Sequence, residues 1–146
     1  MTKWTKAFTY IPKIKSVQTG TCRQTIRPGH TVRVGDEILF HGWTGKPYRS
    51  KWSWRLRVKV NEVEYVLAFR EGLVYLEPAK HIHWKDLDDL AEADGIDPPT
   101  GEELKHVLTR MSNIKLQSAV DGTGVELQII RWDWPPLAIG DYQLEA

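Results

Sequence analysis

Cysteine occurs once in the 146 residues, so no intramolecular disulfide can form, and the expected setting is reducing and cytoplasmic. No apolar run approaches the roughly 20 residues needed to cross a bilayer. The opening Met-Thr-Lys-Trp-Thr-Lys has no apolar segment behind it that reads as a signal peptide, so no membrane partner is expected. Repeats, low-complexity tracts and linker-like stretches are missing as well. That points to one domain over residues 1–146, long enough to bury about two-thirds of its unfolded surface.

A more local absence is of acid. From Ile38 to Val60 there is no Asp or Glu, while Lys46, Arg49, Lys51, Arg55, Arg57 and Lys59 all fall there. The balance reverses from Asp86 to Glu103, through Asp86, Asp88, Asp89, Glu92, Asp94, Asp97, Glu102 and Glu103. A formal net charge of +1 therefore conceals a molecule of two electrical sides.

Hydrophobic periodicity predicts strands through the first sixty residues. Ala7 to Ile11 and Glu37 to His41 are short apolar-rich runs, and Leu56-Arg-Val-Lys-Val60 alternates, with Arg55, Arg57 and Lys59 on the outward face. Tyr65–Phe69 and Leu73–Leu76, joined by Arg70-Glu-Gly72, read as a hairpin. Leu87, Leu90 and Ala91 recur at helical spacing, with Gly95 placed to end that helix in the left-handed conformation. Thr100-Gly-Glu-Glu103 is a capping-box pattern opening a second helix whose stripe is Leu104, Val107, Leu108 and Met111. Val125–Trp132 is a further strand, and Trp132-Asp-Trp134 reads as a strand end packed on the core. Strands, two short acidic helices and strands again imply an α+β domain, best met by a small mixed β-barrel.

The chemistry-bearing stretch is Gly20-Thr-Cys22-Arg-Gln-Thr25-Ile-Arg27, followed by a Pro28-Gly29 turn. On a strand Thr25 and Arg27 share a face with Arg23, and Gln24 and Ile26 point the other way. This run resembles the ASCH domain signature G-x-K-x-x-E-x-R. Gly20 and Arg27 match it, Cys22 stands at the lysine position and Thr25 at the glutamate position. Val34-Gly-Asp-Glu is similar to the strand that follows the signature in that family, and Leu90-Ala-Glu-Ala-Asp94-Gly95 to its acidic helix end. The likeness runs from about Pro12 to Trp132.

The resemblance implies a PUA-like barrel, with its two helices inserted before the last strands, and an association with RNA. Some ASCH proteins are amidohydrolases of N4-acetylcytidine that use a lysine, a threonine and a glutamate. Carried over, Thr25 is the nucleophile and Asp94 a shorter carboxylate at the acid position. Cys22 replaces the amine, leaving Thr25 without an obvious base. Either Lys46 or Lys51 folds back to supply one, or Cys22 is itself the nucleophile, or Cys22 is a small buried filler. Arg27 is open to two uses: gripping a phosphate or base edge, or pinning the fold through an ion pair with Asp94 or Asp36.

Trp43-Thr-Gly-Lys46-Pro-Tyr48-Arg49-Ser-Lys51-Trp52-Ser-Trp54-Arg55 interleaves aromatic rings with cations. Such a stretch suits single-stranded nucleic acid, where stacking contributes about 1–3 kcal/mol per base and cations answer the phosphates. The alternative is that the tryptophans pack and the charges are only solvated. His81-x-His83 lacks a cysteine cluster or third ligand nearby, so no metal site is expected, and no cofactor. The expectation is thus an RNA- or nucleotide-binding domain, with Arg27 and Thr25 at a pocket and Trp43, Lys46, Tyr48, Arg49, Lys51, Trp54, Arg55 and Arg57 along the nucleic acid. The alternative is a hydrolase of a modified nucleoside or of RNA using Thr25, Asp94 and Cys22. A third reading is a protein-interaction module built on the acidic helices.

Overall fold

The structure is a computed structural model that describes residues 1–111 and 113–138, without the side chain of Met111. Along the chain run β1 (Lys3–Ala7), α1 (Ile11–Thr19), β2 (Gln24–Pro28), β3 (Glu37–Trp43), β4 (Trp52–Ala68), β5 (Gly72–Leu76) and β6 (Ala79–His83). A 3-10 turn (Trp84–Asp86), α2 (Asp88–Ala93), α3 (Gly101–Met111) and β7 (Val125–Trp132) follow. Among the described residues the architecture is α+β, a seven-stranded sheet with three α-helices.

β4 organises the sheet. At 17 residues it would run about 56 Å if straight, and it serves two sets of partners instead. Its first half pairs antiparallel with β3, from Trp43 opposite Trp52 to Glu37 opposite Lys59. Its second half pairs with β7, across an irregularity between Val60 and Glu62. β1 adds to β3 in parallel, β5 and β6 continue from the end of β4 in antiparallel pairs, and β2 lies on the far side of β7.

No ladder joins β1 to β2, so the sheet is not closed into the expected barrel. The two strands are instead bridged by a side chain: Arg27 on β2 donates from Nη2 to the carbonyl of Ala7 at 2.7 Å. A guanidinium spans a gap that a backbone pair would have filled.

β7 separates two cores by its alternation. Leu127 and Ile129 join Leu73, Leu90, Leu104 and Leu108 under α2 and α3. Ile130 and Trp132 face the other way, into a core with Phe8, Val17, Phe40 and Val58. Gln128, fully buried, spends its amide on the loop before β3, accepting from the Val32 N–H and donating to its carbonyl. The Tyr65–Leu76 hairpin, the left-handed Gly95 and the α3 start at Thr100 stand where the sequence puts them.

One element corrects the expectation of strands throughout the first sixty residues. Residues 11–19 are helical, and the run read as a strand from Ala7 stops at Ala7 itself. Pro12 fits the first turn, where its missing N–H has no partner to lose. Gly20, at φ +81°, closes the helix with its N–H on the Val17 carbonyl. A side chain there would meet the Trp134 ring at 2.3 Å.

Candidate functional site

The gap between β1 and β2 is an open cleft of about 120 Å³. The end of β1 and the following turn, Ala7 to Tyr10, form one wall, and Thr25, Ile26 and Arg27 of β2 form another. Lys13 from α1, Asp94 from the end of α2, and Ile96, Val107 and Leu108 complete it. Asp94, far in sequence from Thr25 and Arg27, is thereby brought beside them.

Lys13 is the residue that sequence reasoning missed. Its Nζ lies 3.2 Å from Asp94 Oδ2, with the two side chains 4% and 5% exposed. Gln24 Nε2 donates to the other carboxylate oxygen at 3.2 Å. Burial pushes the Asp94 carboxyl above the ordinary aspartate range, against the pull of Lys13, Gln24 and Arg27. A signal existed: Lys13 stands one turn before the buried Val17, at an inward helix position. It was hidden because the helix itself was read as strand.

Arg27 is held in place by the protein. Its Nε donates to Thr25 Oγ1 at 3.2 Å and its Nη2 to Ala7, and no ion pair with Asp94 or Asp36 forms among the described residues. Phe8 lies between the two cations, its ring 5.3 Å from Lys13 Nζ and 5.0 Å from the Arg27 guanidinium carbon. Burial lowers the Arg27 pKa, opposed by Asp94 and by Tyr48, yet a guanidinium stays charged at neutral pH. Asp36 is occupied elsewhere, accepting from the Thr2 and Arg33 amides and Trp4 Nε1.

Cys22 does not line the cleft. It is buried, its thiol contacts the Gln24 and Ala93 carbonyls, and burial pushes its pKa up, away from the thiolate a nucleophile needs.

The aromatic and basic stretch divides. Lys46, Tyr48, Arg49 and Lys51 are exposed, with Tyr48 82% so, and Trp43 is half-buried against its ring. Trp54 is committed to packing: it stacks on Phe8 and covers Gly42, where a Cβ would meet its Nε1 at 2.1 Å. Arg55 is half-buried over Trp52. Arg57 departs from the expected outward face: it pairs with Glu37 and donates to the Ala138 carbonyl. Neither Lys46 nor Lys51 lines the cleft, so neither supplies its amine.

His41 ties loop to cleft. Its backbone carbonyl accepts from the Phe8 amide at 2.9 Å, and its ring stacks on Trp52 at 3.9 Å and meets Trp43 edge-on at 4.9 Å. Burial lowers the His41 pKa, the Gly42 carbonyl opposes this, and the charges of Arg55 and Arg27 lower it further. Trp43 Nε1 and Arg55 Nε are buried with no acceptor among the described residues.

His81 and His83 sit on one face of β6 with rings 4.9 Å apart. No group of three His, Cys, Asp or Glu that could hold a metal occurs among the described residues, and no helix there is long and apolar enough to cross a membrane. Set against family models, curated proteins and solved structures, the chain matches none.

Proposed function

We propose that the protein is an RNA- or nucleotide-binding domain of the PUA-like, ASCH-resembling kind, with the ligand seated on the β1–β2 cleft and the 43–51 loop. The observation that carries this is the union of Arg27 and Thr25 in one cleft, with Tyr48 of the exposed 43–51 loop close enough to act on the Arg27 charge; the same loop carries Lys46, Arg49 and Lys51. An aromatic ring on a loop whose cations have no ion-pair partner among the described residues answers the two features common to every nucleotide, a π-face and a phosphate. Arg55 and Arg57 serve the fold rather than the ligand, so the electrostatic footprint is smaller than the count of basic residues suggests.

A salt titration tests it. With three exposed loop cations meeting phosphates, log K for single-stranded RNA falls with log salt at a slope of about −2. Lys46, Arg49 and Lys51 changed together to Ala flatten that slope. Undetectable affinity at low salt, or affinity indifferent to salt, overturns the proposal.

A second reading, a hydrolase of a modified nucleoside, is favoured by one observation. Lys13 brings an amine to the cleft that holds Thr25, where the signature position offers only Cys22. It ranks second because an ammonium engaged with a carboxylate is no base for a hydroxyl. Release of acetate from N4-acetylcytidine, lost in Thr25→Ala and in Lys13→Met, supports hydrolysis; activity surviving Thr25→Ala removes this site from it.

A further inference from the structure

We infer that the group the cleft takes is a terminal phosphomonoester, so that the domain reads the phosphorylated end of an RNA strand; this rests on the RNA-binding proposal above. The inference comes from which hydrogen-bonding groups remain unspent. Both oxygens of Asp94 are occupied, by Lys13 and by Gln24. Thr25 Oγ1 accepts from Arg27, which leaves its own proton to give. Arg27 uses Nε and Nη2, and Nη1 has no acceptor among the described residues. Lys13 Nζ has three protons and one carboxylate partner. Lys13, Thr25 and Arg27 therefore keep donors to give, and the cleft sets two cations against a single carboxylate. A ligand group that brings only acceptors and negative charge meets that set, and a phosphoryl group is such a group.

Size narrows the choice. Pockets that enclose a drug-sized ligand run to roughly 300–1,000 Å³, and this cleft holds about 120 Å³. It admits a phosphoryl group and not a whole nucleotide, so sugar and base must lie outside. What stands outside is Tyr48, with Trp43 against it.

Burial then selects an end over a link. Lys13, Thr25 and Asp94 are each 3–4% exposed, at the bottom of a gap that the Arg27 to Ala7 bond spans. An internal phosphodiester would have to bring its chain in and out of that gap. A monoester enters from one side, and it carries more charge and three free oxygens.

Affinities for a short single-stranded RNA carrying a 5′-phosphate, a 3′-phosphate or neither, and for a free nucleoside monophosphate, test the inference on the unaltered protein. The expected result is that one phosphorylated strand binds at least roughly tenfold more tightly than the hydroxyl-ended strand, the effect of one charge-assisted contact. Thr25→Val, which keeps the volume and removes the donor, narrows that ratio. The loop variant Lys46→Ala/Arg49→Ala/Lys51→Ala weakens all strands and leaves the ratio standing. Equal affinity for phosphorylated and unphosphorylated strands overturns the end-reading while the RNA-binding proposal survives. Absence of affinity for every strand overturns both. A free monophosphate that binds as tightly as the phosphorylated strand overturns recognition of a strand end.

Discussion

Replacing Lys13 by Met isolates the buried Lys13–Asp94 ion pair. The methionine fills most of the lysine stem and removes the charge, leaving Asp94 buried with Gln24 as its one remaining side-chain hydrogen-bond partner. At 3.2 Å the lost attraction is about 5 kcal/mol for an effective dielectric near 20. Removing one partner of a buried pair typically costs about 3–5 kcal/mol, because the other charge is stranded. For a chain of this size that corresponds to a fall in Tm of roughly 6–20 °C. The pH dependence distinguishes a stranded carboxylate from simple loss of packing. Without Lys13 the folded-state pKa of Asp94 rises further above its unfolded value. Its contribution is then fully present below the unfolded pKa, near pH 4, and is lost as pH rises through the folded pKa. The deficit of Lys13→Met is therefore small in acid and large at neutral pH. Urea unfolding followed by tryptophan fluorescence at several pH values reads it directly. The double variant Lys13→Met/Asp94→Leu should regain most of the loss, since apolar replacement of both partners is commonly neutral or better. A deficit under about 1 kcal/mol, or one that grows as the pH falls, would refute the reasoning.

Three further outcomes follow from other parts of the fold. Gly20→Ala should destabilise by at least about 2 kcal/mol in urea, since a left-handed residue with a Cβ costs 1–2 kcal/mol and this Cβ also strikes the Trp134 ring. Asp36 is pushed up by burial but held below the ordinary carboxylate range by Trp4 and the Thr2 and Arg33 amides. It therefore stabilises the fold above its unfolded pKa and ceases to as pH falls through the lowered folded value, so Asp36→Asn should flatten the acid limb of a stability-versus-pH curve. Thr100→Ala removes the hydroxyl that accepts from the Glu103 amide at 3.1 Å and should cost about 0.5–2 kcal/mol, read as a shift in the urea midpoint.

What the sequence made legible was set by how local each signal is. The β7 strand, the hairpin from β4 to β5, Gly95 and the Thr100 cap are fixed by neighbours within a few residues, and all were readable. At the cap, only the hydroxyl half of the box forms as drawn; the Thr100 amide donates to the Pro98 carbonyl. α1 was the failure, although Pro12 and Gly20 bracket it in the order that marks a helix. Gly20 also stands at the signature turn, and one glycine serves as both helix end and turn. The barrel failed for a different reason. Strand count and alternation say which residues pair, but closure depends on whether β1 and β2 come within ladder distance, which no local pattern encodes. Arg57 likewise alternates outward, and only the register that sets Glu37 against Lys59 brings the Glu37 carboxylate within its reach.

The cleft is where several local rules are broken at once. A lysine occupies an inward helix position, an aspartate is buried, threonine and arginine stand on a largely buried strand, and no ladder joins that strand to β1 beside it. Each departure costs stability when taken singly: a buried charge must be paired, and a missing ladder leaves polar backbone to satisfy. Together they compensate in part, since Asp94 answers Lys13 and Arg27 answers the Ala7 carbonyl. What they do not answer is the remaining hydrogen-bond capacity of Arg27, Thr25 and Lys13, most of it donor. A fold under pressure for stability alone would close β1 on β2 with backbone pairs and fill the gap with apolar side chains. Keeping the gap open and lining it with donors is a cost that the proposed binding of an acceptor-rich group would offset. Arg27 concentrates this, being the strut across the gap and, in the binding proposed above, the guanidinium that would meet the ligand, so occupancy of the cleft and the joining of β1 to β2 would be one equilibrium.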